Sequence, residues 1–256
     1  MQFTDNEILA KAHLCIALDS LDSIDDVRSR VEELKDYCGM FKVGKELFTK
    51  FGPEVVKVVR SIGCDIFLDL KFHDIPNTVH EASSAVSQMG VSMFTVHASG
   101  GSEMLRATML GAKEGATRAG VKTPRVVGVT ILTSIDEKLM NEMGVPGKLS
   151  HQVLRLAKRC EDAGLDGIVC SADDLKDLKS HFADSFLFVT PGIKGSHSNA
   201  GHDQKRVMTA CNAIKAGAGL LVVGRAVTAH KTAVERREAA LEILREIALD
   251  KSTQCI

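Results

Sequence analysis

Two carboxylates and an ammonium crowd into one short run, Asp69-Leu-Lys71-Phe-His-Asp74, at the end of an apolar segment. If that segment is a strand, Asp69 and Lys71 lie two residues apart and project from the same face. Lys42 lies within a second apolar segment, Met40–Val43, and supplies another ammonium. Alternating carboxylates and ammonium groups in a pocket of low dielectric stabilise one another as ions, which holds both lysines charged and fixed. A protonated, rigid Lys71 is then a proton donor. The bland alternative is an ion network that only stiffens the fold, but apolar side chains fill a core position at lower cost.

A second pole lies in the C-terminal third. Thr190, Pro191, Gly192, Ile193 and Lys194 follow one apolar run, Gln204 stands a little beyond, and Gly224-Arg225 follows the last such run and opens a helix. Free N–H groups at a helix start, the helix dipole and a guanidinium all favour a phosphate dianion. A glycine turn beside a solvated arginine is the competing reading. Gly100-Gly101 lacks the full spacing of a nucleotide-binding glycine pattern and reads as a turn opening a helix. His73, His80, His197 and His202 lack metal-site spacing and read as loop or surface residues.

The elements that must position these groups alternate along the chain. Short β-branched runs predict strands over His13–Leu18, Met40–Val43, Cys64–Leu70, Ser92–Val96, Arg125–Ile131, Gly167–Cys170, Leu187–Val189 and Gly219–Val223. Stretches of helical spacing between and after them predict helices over Ile24–Tyr37, Glu46–Ile62, Asn77–Met89, Ser102–Ala119, Ser150–Ala163, Asp173–His181, Asp203–Ala216 and Ala226–Leu249. Eight such units joined by right-handed crossovers predict an α/β fold, a single-domain (β/α)8 TIM barrel over residues 1–256, with an open doubly wound sheet as the alternative. Active sites of such barrels form at the C-terminal strand ends. Those ends carry Asp19, Lys42, Asp69 with Lys71, His97, Thr133 with Ser134, Thr190 to Gly192, and Gly224 with Arg225. Convergence of so many polar groups on one rim favours a binding site. The irregular stretches Asp136–Leu149 and Gly192–Gly201 fall on the same rim.

Composition narrows the class further. The 256 residues are 45% hydrophobic, enough for a sizeable core, and 32 basic against 33 acidic residues give a net charge of -1. No overall field draws nucleic acid or an anionic membrane. No stretch approaches about 18 consecutive apolar residues, and no basic region followed by an apolar run opens the chain. Seven scattered cysteines without a C-x-x-C pair fit reduced thiols in the cytoplasm.

Taken in order, ALD ending at Asp19, FKVG around Lys42, DLKFHDIPNT from Asp69, TVHASGG around His97, LTS ending at Ser134, TPGI ending at Ile193, DQKR around Gln204 and VGR ending at Arg225 resemble the orotidine 5′-phosphate decarboxylase family over essentially the whole chain. The resemblance implies decarboxylation of orotidine 5′-phosphate to uridine 5′-phosphate, with no metal and no organic cofactor. It implies a charged relay of Lys42, Asp69, Lys71 and Asp74, and a homodimer in which Asp74 and Thr78 reach the partner's site. Asp19 and Lys42 would contact ribose hydroxyls, and Thr133 or Ser134 the pyrimidine. Gln204, Gly224 and Arg225 would contact the phosphate, with Ile75 and Pro191 among the substrate-binding residues. Lys194 stands where many bacterial relatives carry Arg, so a point charge replaces a bidentate fork. Related magnesium-dependent barrels share the Asp-x-Lys-x-x-Asp pattern but are expected to carry a metal-binding Glu where this chain has Lys42, whose ammonium would repel the ion. A catalytically silent scaffold would be expected to lack Lys71 or Asp69, and both are present.

Overall fold

The computed structural model describes residues 3–194 and 208–249. Thr4 and Glu7 form a capping box that opens α1 (Asp5–Ala10): the Thr4 N–H donates to the Glu7 carboxylate at 2.8 Å, and the Glu7 N–H to the Thr4 hydroxyl at 3.3 Å. There follow β1 (Leu14–Leu18), α2 (Ile24–Leu34), β2 (Met40–Gly44), α3 (Lys45–Phe51), α4 (Glu54–Ser61), β3 (Asp65–Phe72), α5 (Pro76–Gln88), β4 (Met93–His97), α6 (Gly101–Ala119) and β5 (Arg125–Val129). The chain continues through α7 (Glu137–Glu142), α8 (Leu149–Asp162), β6 (Gly167–Val169), α9 (Leu175–Leu178) and β7 (Leu187–Pro191). Last come β8 (Ile193–Lys194), β9 (Met208–Thr209), α10 (Ala210–Lys215), β10 (Leu220–Val223), α11 (Arg225–Thr228) and α12 (Ala233–Ala248).

Hydrogen bonding orders the strands β1-β10-β7-β6-β5-β4-β3-β2 and closes the ring, with every pairing whose register is defined parallel, as the repeated strand and helix pattern predicts. The short β8 and β9 form a separate parallel pair. Contacts divide the described chain into two compact units, residues 70–189 and the residues flanking them on both sides. In the flanking unit, Leu14, Ile16 and Leu18 of β1, Phe41 of β2 and Ile66 to Leu68 of β3 are buried. Arg236 of α12 grips Glu33 of α2 with two bonds of 2.7 Å and donates to the carbonyls of His230 and Lys231 at 3.0 Å each. Burial of each large apolar side chain contributes about 1.5–3 kcal/mol.

Several predicted boundaries move for identifiable reasons. The helix expected over Glu46–Ile62 divides into α3 and α4, because Gly52 adopts a left-handed φ of 59° and Pro53 follows. The helix expected over Ala226–Leu249 divides into α11 and α12, because Thr232 caps a new start by accepting the Glu235 N–H. The stretch expected to be irregular from Asp136 contains α7, capped by the Asp136 carboxylate on the Leu139 N–H at 3.0 Å. The first half of the helix expected over Asp203–Ala216 lies outside the described residues, and α10 begins at Ala210. Among the described residues, no helix is long and apolar enough to cross a membrane.

Within residues 70–189, α5 and α6 approach unusually closely. Any Cβ on Gly111 or Gly115 would collide with the carbonyl oxygens of His80 and Ser84 respectively. Ser83 and Ser87, buried on α5, return their hydroxyls to the Val79 and Ser83 carbonyls at 2.6 and 2.7 Å. The seam fixes α5, whose first turn carries Thr78. Gly115→Ala would gain about 1 kcal/mol of helix propensity but lose about 1–3 kcal/mol to overpacking against backbone that cannot rotate away. Denaturant unfolding is expected to show a net loss of stability for Gly115→Ala, whereas exposed Lys113→Ala on the same helix should stay within about 0.5 kcal/mol of the parent.

Candidate active site

Strand register explains how the first charged cluster forms. Lys42 pairs with Ala17 of β1 and Phe67 of β3, two residues below the level where Gly44 pairs with Asp69. Its four-carbon stem therefore rises toward the strand ends. The ammonium lies 3.6 Å from an Asp19 carboxylate oxygen and 3.8 Å from one of Asp69. The Lys42 and Asp69 side chains are each 13% exposed and Asp19 40%, so the charges sit in a sheltered but open-ended place. Gly44 makes room: a Cβ there would stand 3.0 Å from the ammonium and 3.6 Å from Asp19. Gly224 closes the same side, since a Cβ on it would lie 3.5 Å from the other Asp19 oxygen. Groups at the ends of β1, β2 and β3 thus meet around one ammonium, that of Lys42, and the turn into α11 lies beside Asp19.

Arg225 is exposed at the start of α11. β8, which follows the Pro191-Gly192 turn, lies beside β10, and Gly192 takes the φ of 80° that the turn requires. Gln204 and the Lys194 side chain lie outside the described residues.

In the unit of residues 70–189, Lys71 departs from the expectation. Its φ is 54°, so strand alternation stops at this residue and cannot be what aims the side chain. A left-handed backbone costs a residue with a Cβ about 1–2 kcal/mol. Ser20, immediately after Asp19, has a φ of 56°; these are the only two non-glycine residues of positive φ among the described residues, and both lie where a strand exits beside a candidate group. The Lys71 N–H donates to the Thr95 hydroxyl at 2.8 Å. Thr95 is fully buried on β4, and nothing in its sequence context marked it beyond its place in the TVHASGG run.

His97 ends β4 with its ring 5.3 Å from that of His73. Asp74 and Thr78 are exposed, and the Asp74 carboxylate accepts its neighbour Ile75's N–H at 2.7 Å. The Ile75 side chain is 66% exposed. Thr133 is half-buried and Ser134 exposed in the turn between β5 and α7. Among the described residues, no three of His, Cys, Asp and Glu are grouped so as to hold a metal ion.

The sequence model of the orotidine 5′-phosphate decarboxylase / HUMPS family matches residues 12–240. The chain belongs to that family. An orotidine 5′-phosphate decarboxylase of Syntrophus aciditrophicus (strain SB) is 44% identical over 235 residues, 92% of each chain. One from Pseudoalteromonas translucida (strain TAC 125) is 48% identical over 219 residues, 84% of this chain and 89% of the relative. The crystal structure of orotidine 5′-phosphate decarboxylase from Lactobacillus acidophilus superposes with a TM-score of 0.79 at 37% identity, over 91% of this chain and 98% of that one.

Cys15 of β1 is completely buried near Lys42, Asp69 and Asp19, and burial first, then Cys38, pushes its titration far up. Burial likewise raises Cys38, and lifts Cys160 to about 12. The thiolate is the reactive form. Maleimide at neutral pH is therefore expected to leave Cys15, Cys38 and Cys160 unmodified in the native protein and to label them after denaturation, as read by peptide mass spectrometry.

Proposed function

We propose that the chain decarboxylates orotidine 5′-phosphate to uridine 5′-phosphate, the last step of UMP synthesis, as one barrel domain acting in the cytoplasm without a metal or organic cofactor. The observation that carries this is the Lys42 ammonium 3.6 and 3.8 Å from the Asp19 and Asp69 carboxylates, with Lys71 two residues beyond Asp69 on the same strand. Two carboxylates around one ammonium leave a net negative charge, which the ammonium of Lys71 would offset. Asp69 faces the substrate carboxylate. As the bond from carbon 6 to that carboxylate breaks, carbon dioxide leaves and the electron pair stays on carbon 6. Lys71 stabilises the pair electrostatically and then delivers a proton to it.

Remote contacts hold the rest of the molecule. Asp19 and Lys42 take the ribose hydroxyls, Thr133 or Ser134 the pyrimidine, and Gly224, Arg225 and Gln204 the phosphate, with Pro191 and Lys194 beside them. Binding the phosphate far from carbon 6 lends energy to orientation at the reacting centre. The family includes sister activities, and the choice among them rests on Lys42. An ammonium occupies the space between the carboxylates that a magnesium ion would need, and it repels the ion.

Asp74, Ile75 and Thr78 serve the site of a partner subunit in a homodimer. Their exposure supports this, above all that of Ile75, a large apolar side chain left open to solvent in the single chain.

Purified protein is expected to convert orotidine 5′-phosphate with a loss of absorbance that excess chelator does not slow; turnover that depends on added magnesium would overturn the assignment. Lys71→Ala should lower kcat by at least about 10²- to 10⁴-fold while uridine 5′-phosphate still binds, because proton delivery and phosphate binding are separate tasks. Mixing Asp74→Ala with Lys71→Ala protein under subunit exchange should restore activity at one site per heterodimer, and failure despite demonstrated exchange would show that the site is not shared.

A further inference from the structure

The left-handed backbone at Lys71 needs a cause, because a φ of 54° is disfavoured for any residue with a Cβ, and Lys71 cannot adopt it at no cost as glycine would. Its N–H donates to a group outside its own strand, the Thr95 hydroxyl, 2.8 Å away on neighbouring β4. Thr95 is fully buried between the buried Phe94 and Val96. Valine would fill that volume and suit a strand equally well, so a hydroxyl there is costly unless it is used. We propose that Thr95 is a positioning residue for decarboxylation, its hydroxyl holding Lys71 in the left-handed conformation that aims the ammonium at carbon 6.

The inference rests on Lys71 being the proton donor. The φ of a residue sets the direction of its Cα–Cβ bond relative to the strand behind it. A relaxed, extended Lys71 would therefore start its side chain along a different line and would have to bend back to reach the same point. Misplacement by about 1 Å can cost about 10²-fold in rate, because the reacting atoms must already be aligned when the barrier is crossed. Thr95 itself touches no substrate in this scheme. Its effect should fall on kcat and leave binding of the phosphate and ribose unchanged.

The test compares Thr95→Val and Thr95→Ser in the full chain, with steady-state turnover of orotidine 5′-phosphate, calorimetric binding of uridine 5′-phosphate and thermal unfolding as readouts. Thr95→Val is expected to lose about 10- to 100-fold in kcat while KM and product affinity stay within about threefold. Thr95→Ser keeps the acceptor and should recover turnover to within about threefold of the parent. Adding Thr95→Val to Lys71→Ala should change the residual rate no further, since the residue being positioned is gone. Full kcat in Thr95→Val, a parallel loss of product binding, or Thr95→Ser no better than Thr95→Val would each overturn the proposal. If Thr95→Val does not fold, Thr95→Ser against Thr95→Cys makes the same comparison, because a thiol is a poor acceptor. An inactive Lys71→Ala beside a fully active Thr95→Val defeats this inference alone, whereas an active Lys71→Ala removes the proton-donor reading beneath it.

Discussion

A sheltered ammonium between two carboxylates is stable only if all three are held in place. Lys42 and Asp69 are largely removed from water, and withdrawing one partner leaves the other charge less well compensated in a sheltered place. The surrounding framework is consistent with that demand. Register sets Lys42 two residues below Asp69, Gly44 leaves space for the stem, and Gly224 leaves space beside Asp19. Separations of 3.6 and 3.8 Å exceed a direct hydrogen bond, so these two contacts are held by Coulomb attraction more than by donor geometry.

Backbone strain follows the same groups. Ser20 follows Asp19, and Lys71 follows Asp69 by two residues, each in the left-handed region at the exit of its strand. A strand that simply continued would carry these side chains on in alternation. Turning the chain sharply at those points breaks the alternation next to a polar group and leads into the loop beyond it. Such conformations persist only where neighbours over-determine them. For Lys71 the neighbour is Thr95, a side chain chosen for its oxygen in a position where a methyl group would pack as well.

Family membership and local chemistry support each other without being the same statement. The match over residues 12–240 establishes descent and fold, while the charges around Lys42 bear on which member's chemistry this chain carries. The family name itself spans more than one activity, and the proposed choice among them rests on a single side chain of β2, Lys42.

The sequence by itself determined the alternation of strands and helices, hence the closed parallel barrel, because periodicity and β-branching are local properties that tertiary contacts here did not override. It also determined which polar residues stand at the strand ends, since those are read directly from where each apolar run stops. Helix breaks at Gly52-Pro53 and Thr232 are legible in residue type, but the apolar spacing that runs through them points to longer helices. Only the tertiary structure decided that Lys42 reaches two carboxylates, that α5 and α6 meet through Gly111 and Gly115, and that Lys71 leaves the extended region. Each of these depends on a residue distant in sequence: register places Asp69 and Asp19 about Lys42, carbonyls of α5 lie against the glycines of α6, and the hydroxyl of Thr95 reaches the Lys71 amide from the next strand. A φ angle has no periodicity to betray it, and a buried threonine in a β-branched run looks like any other strand residue until its oxygen is seen to have a partner.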